Sequence, residues 1–122
     1  METIVPDTTP KIQVTPPNTL DFGTTTSTYE QTVTIENIGT GVLNLRQVRF
    51  TNTSSPAFGL AGLTPSRSFQ VQPHQRFIFQ VRFQATQAGI YNNTLAIESN
   101  DPQTLSYRLY VRGTRQQKTP FG

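Results

Sequence analysis

The stretch Arg76-Phe77-Ile78-Phe79-Gln80-Val81-Arg82-Phe83 constrains this chain more than any other. Phe77, Phe79, Val81 and Phe83 recur at every second position, and Arg76, Gln80 and Arg82 fall between them with Ile78 as the exception. In an extended backbone successive side chains point to opposite faces, so this pattern predicts a strand with one apolar and one mostly polar face. Burying one row of side chains does not offset the entropy lost in ordering the strand, so a facing sheet is required.

The same alternation recurs along the chain. Tyr29, Val33 and Ile35 share a face with Gln31, and Glu30, Thr32, Thr34 and Glu36 share the other. Leu43 and Leu45 set one parity, and Val48 and Phe50 continue in the opposite one. That slip predicts a β-bulge near Arg46 and Gln47. Short strands are expected at Ile12 with Val14, at Phe58 to Leu60 and at Phe69 to Val71, the last ended by Pro73. Tyr91, Leu95 and Ile97 form another strand, and Leu105, Tyr107, Leu109 and Val111 are expected inward on the final one. There Arg108, Tyr110 and Arg112 point outward, and Gly113 is expected to close the strand.

Turn chemistry punctuates these runs. Asn37-Ile38-Gly39-Thr40-Gly41 is read as a turn whose glycines and asparagine supply positive φ, and Ser99-Asn100-Asp101-Pro102 as another. With no helical periodicity, and strands spaced by about ten residues, the fold class is all-β: an immunoglobulin-like antiparallel β-sandwich of about seven to eight strands, with a barrel as the rival.

The length of 122 residues suits one domain. Residues 1–18 carry Pro6, Pro10, Pro16 and Pro17 and read as an extended arm, 19–113 as the domain, and 114–122 as a polar basic tail. The arm is expected either to lead into the first strand or to pair with a neighbour's sheet edge by strand addition. No apolar window reaches 18 residues, so no membrane span is expected, and the N-terminus lacks the pattern of a signal peptide. Localisation stays open: cytoplasmic, or part of an assembly, if the chain is complete.

Residues from Leu20-Asp21-Phe22-Gly23, through Thr32-Val33-Thr34-Ile35-Glu36-Asn37-Ile38-Gly39 and Val42-Leu43-Asn44-Leu45, resemble the abnormal-spindle/Hydin (ASH) family. The likeness continues in Gly89-Ile90-Tyr91, Leu95-Ala96-Ile97, Ser99-Asn100-Asp101-Pro102 and Val111-Arg112-Gly113, and bacterial "choice-of-anchor D" modules are similar. The resemblance implies an immunoglobulin-like sandwich related to major-sperm-protein and pilus-chaperone domains, used as a non-catalytic interaction module. It carries no catalytic or ligand residues. Family modules are often repeated in long chains, whereas this sequence holds one.

Reaction chemistry finds little support. Cysteine is absent, which excludes disulfides, thiolate metal sites and a cysteine nucleophile. His74 is the single histidine and falls in a turn, and Asp21, Glu98 and Asp101 lack metal-ligand spacing. No nucleophile, base and orienting group come together, so no enzyme activity and no cofactor is expected. The sequons Asn52-Thr53-Ser54 and Asn92-Asn93-Thr94 are read as chance matches in a Thr-rich chain.

The net charge of +3 mildly favours an acidic partner and is too small to indicate nucleic acid. The outward face of the last strand is the candidate surface: Arg108, Tyr110 and Arg112, joined by Arg46 from a neighbouring strand, make a basic stripe of interface-rich residue types. These features predict a structural module that docks other protein subunits in a larger assembly, with self-association as a second option. The alternatives are a surface adhesin or carbohydrate-binding module, which calls for exposed aromatics beyond Tyr110, and a weak nucleic-acid binder.

Overall fold

The computed structural model describes residues 8–53, 56–63 and 67–117. Wherever apolar and polar residues alternate, the chain is extended, giving β1 (Ile12–Thr15), β2 (Thr19–Thr25), β3 (Tyr29–Asn37), β4 (Leu43–Phe50), β5 (Phe58–Ala61), β6 (Phe69–Val71), β7 (Arg76–Phe83), β8 (Gly89–Ser99) and β9 (Ser106–Arg115). One sheet has the order β1-β3-β7-β5 and the other β2-β9-β8-β4-β6. The immunoglobulin-like sandwich is therefore present, with nine strands among the described residues in place of seven or eight. The additional strand arises because the chain between Ile12 and Thr25 serves both sheets, and Pro16 and Pro17 separate its halves. Proline offers no N–H to a ladder, so the chain leaves one sheet there and joins the other.

One pairing departs from the antiparallel expectation: β2 runs parallel to β9, with Leu20 opposite Val111 and Asp21 opposite Arg112. Ile12–Thr15 lies within the stretch read as an arm, and pairs with β3 of its own chain. Thr114 and Arg115, in the stretch read as a tail, belong to β9 and pair with Thr24 and Thr25 of β2. The rest of the strand-addition expectation, on residues 1–7, and the tail from residue 118 lie outside the described residues.

The core between the sheets is built from the inward parities. Val33, Ile35, Phe79, Val81, Leu43, Leu45, Leu95, Ile97 and Leu109 are fully buried. Phe83 sits at the centre of an aromatic cluster, with ring centroids 5.1 Å from Phe58, 5.5 Å from Phe22 and 5.9 Å from Tyr91. At these separations tilted and edge contacts are favourable. The β4–β8 register shifts between Leu45 and Gln47, so the bulge lies where the parity slip put it. Arg46 is exposed and Gln47 half-buried, while Leu45 and Val48 on either side are buried.

Several expectations need correction. Leu105 is 58% exposed and precedes β9 rather than belonging to its inward row. Gly113 is buried within β9 and does not end it. Asn37 is fully buried, and neither Gly39 nor Gly41 has positive φ. These glycines are needed because the backbone of residues 8–11 passes against them: a Cβ on Gly41 would lie 1.6 Å from the Thr8 carbonyl oxygen, and one on Gly39 2.3 Å from that of Thr9.

Exposed strand edges invite pairing with other chains. Here the outer N–H of Ile12 in β1 is held by the Asp101 carboxylate, and the carbonyl of Asp21 in β2 accepts from the Gln31 side chain. The other two edges, β5 and β6, have only four and three residues.

Candidate functional site

The outward surface of the five-stranded sheet follows from the same alternation that builds the core. Leu109 and Val111 are buried, so Arg108, Tyr110 and Arg112 stand on the opposite side of β9, all exposed. Side chains two apart on a strand are separated by about 6.7 Å, so the three form one row along the strand.

Register gives the neighbours of each. Arg108 lies opposite Ala96, Tyr110 opposite Thr94 and Arg112 opposite Asn92 on β8. On the other flank Thr19 lies beside Tyr110 and Asp21 beside Arg112. Beyond Ala96 comes Arg49 of β4. Three transverse rows result: Asp21, Arg112 and Asn92; Thr19, Tyr110 and Thr94; and Arg108, Ala96 and Arg49. The middle row floors a shallow groove of about 460 Å³, lined among others by Asn52, Asn92, Tyr110 and Arg112.

Arg108, Tyr110 and Arg112 are thus brought together, and Arg46 is not. Arg46 sits on β4 at the bulge between Leu45, opposite Ser99, and Gln47, opposite Glu98, so across β8 it is level with Ser106 at the start of β9 and not with the row. The arginine that does face Arg108 across Ala96 is Arg49. Sequence reasoning missed both Arg49 and Asp21, because which strands are neighbours, and that β2 runs parallel to β9, cannot be read from parity.

The guanidiniums differ in their pairing. Arg112 donates through Nε and Nη2 to Asp21 Oδ2, both at 2.9 Å. The Asp21 carboxyl is held below its ordinary value of 3.8, first by the Gly23 backbone N–H at 2.8 Å and then by the Arg112 guanidinium. Arg49 Nη2 lies 3.9 Å from Glu98, and its Nε donates to Gln47 at 3.2 Å. Among the described residues Arg46 and Arg108 have no carboxylate partner.

The residues weighed for chemistry fall elsewhere. His74 is exposed, with φ of 66°, in the turn between β6 and β7. Asp101 is 3% exposed, and its two oxygens accept the N–H groups of Ile12 and Gln103. Among the described residues no three or more His, Asp or Glu side chains converge as for a metal ion. Among the described residues no helix is long and apolar enough to cross a membrane. The exposed tyrosines Tyr29 and Tyr110 lie on different sheets.

A model of the HYDIN/CFA65/VesB-like, Ig-like domain matches residues 10–114. The chain belongs to this family. The ASH/Hydin resemblance of its turns and strands thereby holds over nearly the whole sandwich. Among solved structures, the ASH/PapD-like domain 7 of human CEP192 is similar over 97% of this chain and 92% of that one, at TM-score 0.69 and 17% identity. A protein of unknown function from Porphyromonas gingivalis W83 is similar over 91% of this chain, at TM-score 0.72 and 22% identity. This chain spans about half of that protein, 49%. The secreted serine protease VesC from Vibrio cholerae is similar at TM-score 0.62 and 15% identity, covering 93% of this chain but 24% of the protease. At such identities the likeness is one of fold. Comparison with the curated protein sequences finds no match. The HYDIN/CFA65/VesB-like, Ig-like family is compatible with a non-catalytic interaction module.

Proposed function

We propose that this domain is a non-catalytic docking module for other protein subunits of a larger assembly, and that it receives its partner on the outer face of the five-stranded sheet. The observation that carries the reading is Tyr110, 57% exposed at the middle of a long interior strand of its sheet, with Arg108 and Arg112 on either side of it on the same face. Tyrosine and arginine are the residue types that supply interface anchors, through a large rigid ring and a planar donor set. A monomer gains nothing from leaving such a ring in water, whereas a partner can cover it. Arg46, on β4 beyond β8, lies at the margin of this surface.

The paired or shortened sheet edges support docking through a face in preference to strand addition, since β1 is already taken up by β3. Self-association through the same face is the homo-oligomeric form of this reading.

A photo-crosslinking amino acid placed at Tyr110 in the full chain tests it in source lysate. The expected result is a discrete protein adduct that disappears when Arg108→Glu is added, with no adduct from the same probe at Ile78 on the opposite sheet. Adducts from Ile78 and none from Tyr110 would move docking to the other face.

A further inference from the structure

Resting on that docking face, we infer that the partner presents an extended acidic segment with carboxylates four residues apart, laid along β9. The argument starts from spacing. Arg108 and Arg112 are four residues apart on one strand and point the same way, so their Cα atoms stand about 13 Å apart. An extended peptide has the same rise, and its side chains at i, i+2 and i+4 share a face. Carboxylates at i and i+4 then meet Arg108 and Arg112 while the residue at i+2 meets the Tyr110 ring. A helix covers only about 6 Å in four residues, so carboxylates at that spacing reach both arginines only on an extended chain.

Charge points the same way. The outer face bears Arg46, Arg49, Arg108 and Arg112 against the carboxylates of Asp21 and Glu98, and Arg108 has no carboxylate partner among the described residues. Beside it Ala96 is 2% exposed although it faces outward, so longer neighbouring side chains roof it and the floor between Arg108 and Arg49 is desolvated. A carboxylate held there is less screened than one in open water. Asp21 takes Nε and Nη2 of Arg112 and thereby fixes the guanidinium with its remaining amino group available.

The groove beside Tyr110 is lined mainly by threonine and asparagine residues, with Val111 its one aliphatic residue. A folded partner would want an apolar centre to its interface. An extended segment, whose backbone carbonyls and amides need partners, fits hydroxyls and amides better. Tyr110, the one exposed ring on this face among the described residues, suits a proline or other compact side chain at i+2, and offers no series of platforms for nucleobases.

The test is an amide-resolved NMR titration of the full chain with two synthetic peptides of one composition. In the first, acetyl-Gly-Ser-Glu-Ser-Pro-Ser-Glu-Ser-Gly-amide, the glutamates are four apart. In the second, acetyl-Gly-Ser-Glu-Ser-Pro-Glu-Ser-Ser-Gly-amide, they are three apart and fall on opposite faces. The first should shift the amides of Arg108, Tyr110 and Arg112 and bind at least about fivefold tighter than the second at low salt. Arg108→Glu should weaken it at least about tenfold, and Arg76→Glu, the same charge change on the other sheet, by less than about twofold. No binding, equal binding of the two peptides, or equal loss in both variants would overturn the inference. If the Tyr110 crosslink to a partner still depends on Arg108 while neither peptide binds, the acidic segment falls and the docking face stands. If the peptides bind as expected and the crosslink is absent, the docking reading falls and the site's chemistry stands.

Discussion

The carboxylate of Asp101 accepts the backbone N–H of Ile12 at 2.9 Å, tying the turn before β9 to the outer edge of β1. Its other oxygen accepts the N–H of Gln103 at 2.9 Å, so the residue is both turn-builder and clasp. With Asp101 3% exposed, the bond from Ile12 is buried, whereas Gln103 is exposed and its N–H can turn to water. Asp101→Ala should therefore cost about 1–3 kcal/mol, chiefly because the Ile12 N–H loses its acceptor at a buried position. Urea unfolding measures this, and hydrogen exchange should show the Ile12 amide opening faster than those of β7. An unchanged Ile12 exchange rate would mean that the clasp does not hold β1.

Asn37 performs the matching task from the other side. Its Nδ2 donates to the carbonyls of Gly41 at 2.7 Å and Val71 at 3.0 Å, and its Oδ1 accepts from Gly39 and Lys11. The side chain thus holds three segments at one point with no exposed surface. Asn37→Leu keeps the branching of the side chain, at a larger volume, and leaves these groups without partners. A loss of about 2–4 kcal/mol is expected from the unsatisfied buried carbonyls and amides. Calorimetry of the variant beside Asn100→Ala, whose partly exposed site should cost less, checks the ranking.

How much of this was legible in the sequence depends on whether the determining contact is local. The inward rows Phe79, Val81, Phe83 and Leu109, Val111 follow from period two, and the bulge at Arg46 and Gln47 follows from a break in that period. Such features need only one strand. The role of Asn37 needs Val71 and Lys11, and that of Asp101 needs Ile12, so chain-local turn chemistry named the right residues for an incomplete reason. The glycines of the Asn37 turn show the same limit: their small size answers to residues 8–11, far back in the chain. At the candidate site, parity along β9 gave Arg108, Tyr110 and Arg112 one face, but the β4–β8 register decided between Arg46 and Arg49, and sheet order brought Asp21 alongside.

The Asp21 to Arg112 pair gives a pH signature with a definite sign. A carboxyl whose folded value lies below its unfolded one contributes stability above the unfolded value, and loses it as pH falls through the folded value. Asp21 is held down by the Gly23 N–H first and Arg112 second. In an NMR titration its midpoint should lie below 3.8, and Arg112→Ala should raise it without restoring it fully, because the Gly23 N–H remains. Restoration to 3.8 in Arg112→Ala would show that the arginine alone sets it. Both groups are exposed, so the accompanying change in stability should be small.

Gly113 carries the last expectation, because it stands where the aromatic cluster meets β9. A Cβ there would lie 2.7 Å from Phe83 Cε2, 2.9 Å from Cδ2 and 3.0 Å from Cζ. The ring has little room to withdraw: Phe58 and Phe22 pack on it with centroids at 5.1 and 5.5 Å, and Tyr91 at 5.9 Å. Gly113→Ala should thus destabilise by about 1–3 kcal/mol through overpacking, despite the better strand propensity of a residue with a side chain. Pairing it with Phe83→Leu removes the clashing ring edge. In a double-mutant cycle the alanine should then cost less than it does beside phenylalanine, a coupling of about 0.5 kcal/mol or more. Additive losses would place the cost in the backbone of β9 rather than in contact with Phe83. Gly23→Ala shows the other reason for a glycine, since no atom lies within 4 Å of a Cβ there and only the φ of 65° resists it, a strain that Gly113 does not share.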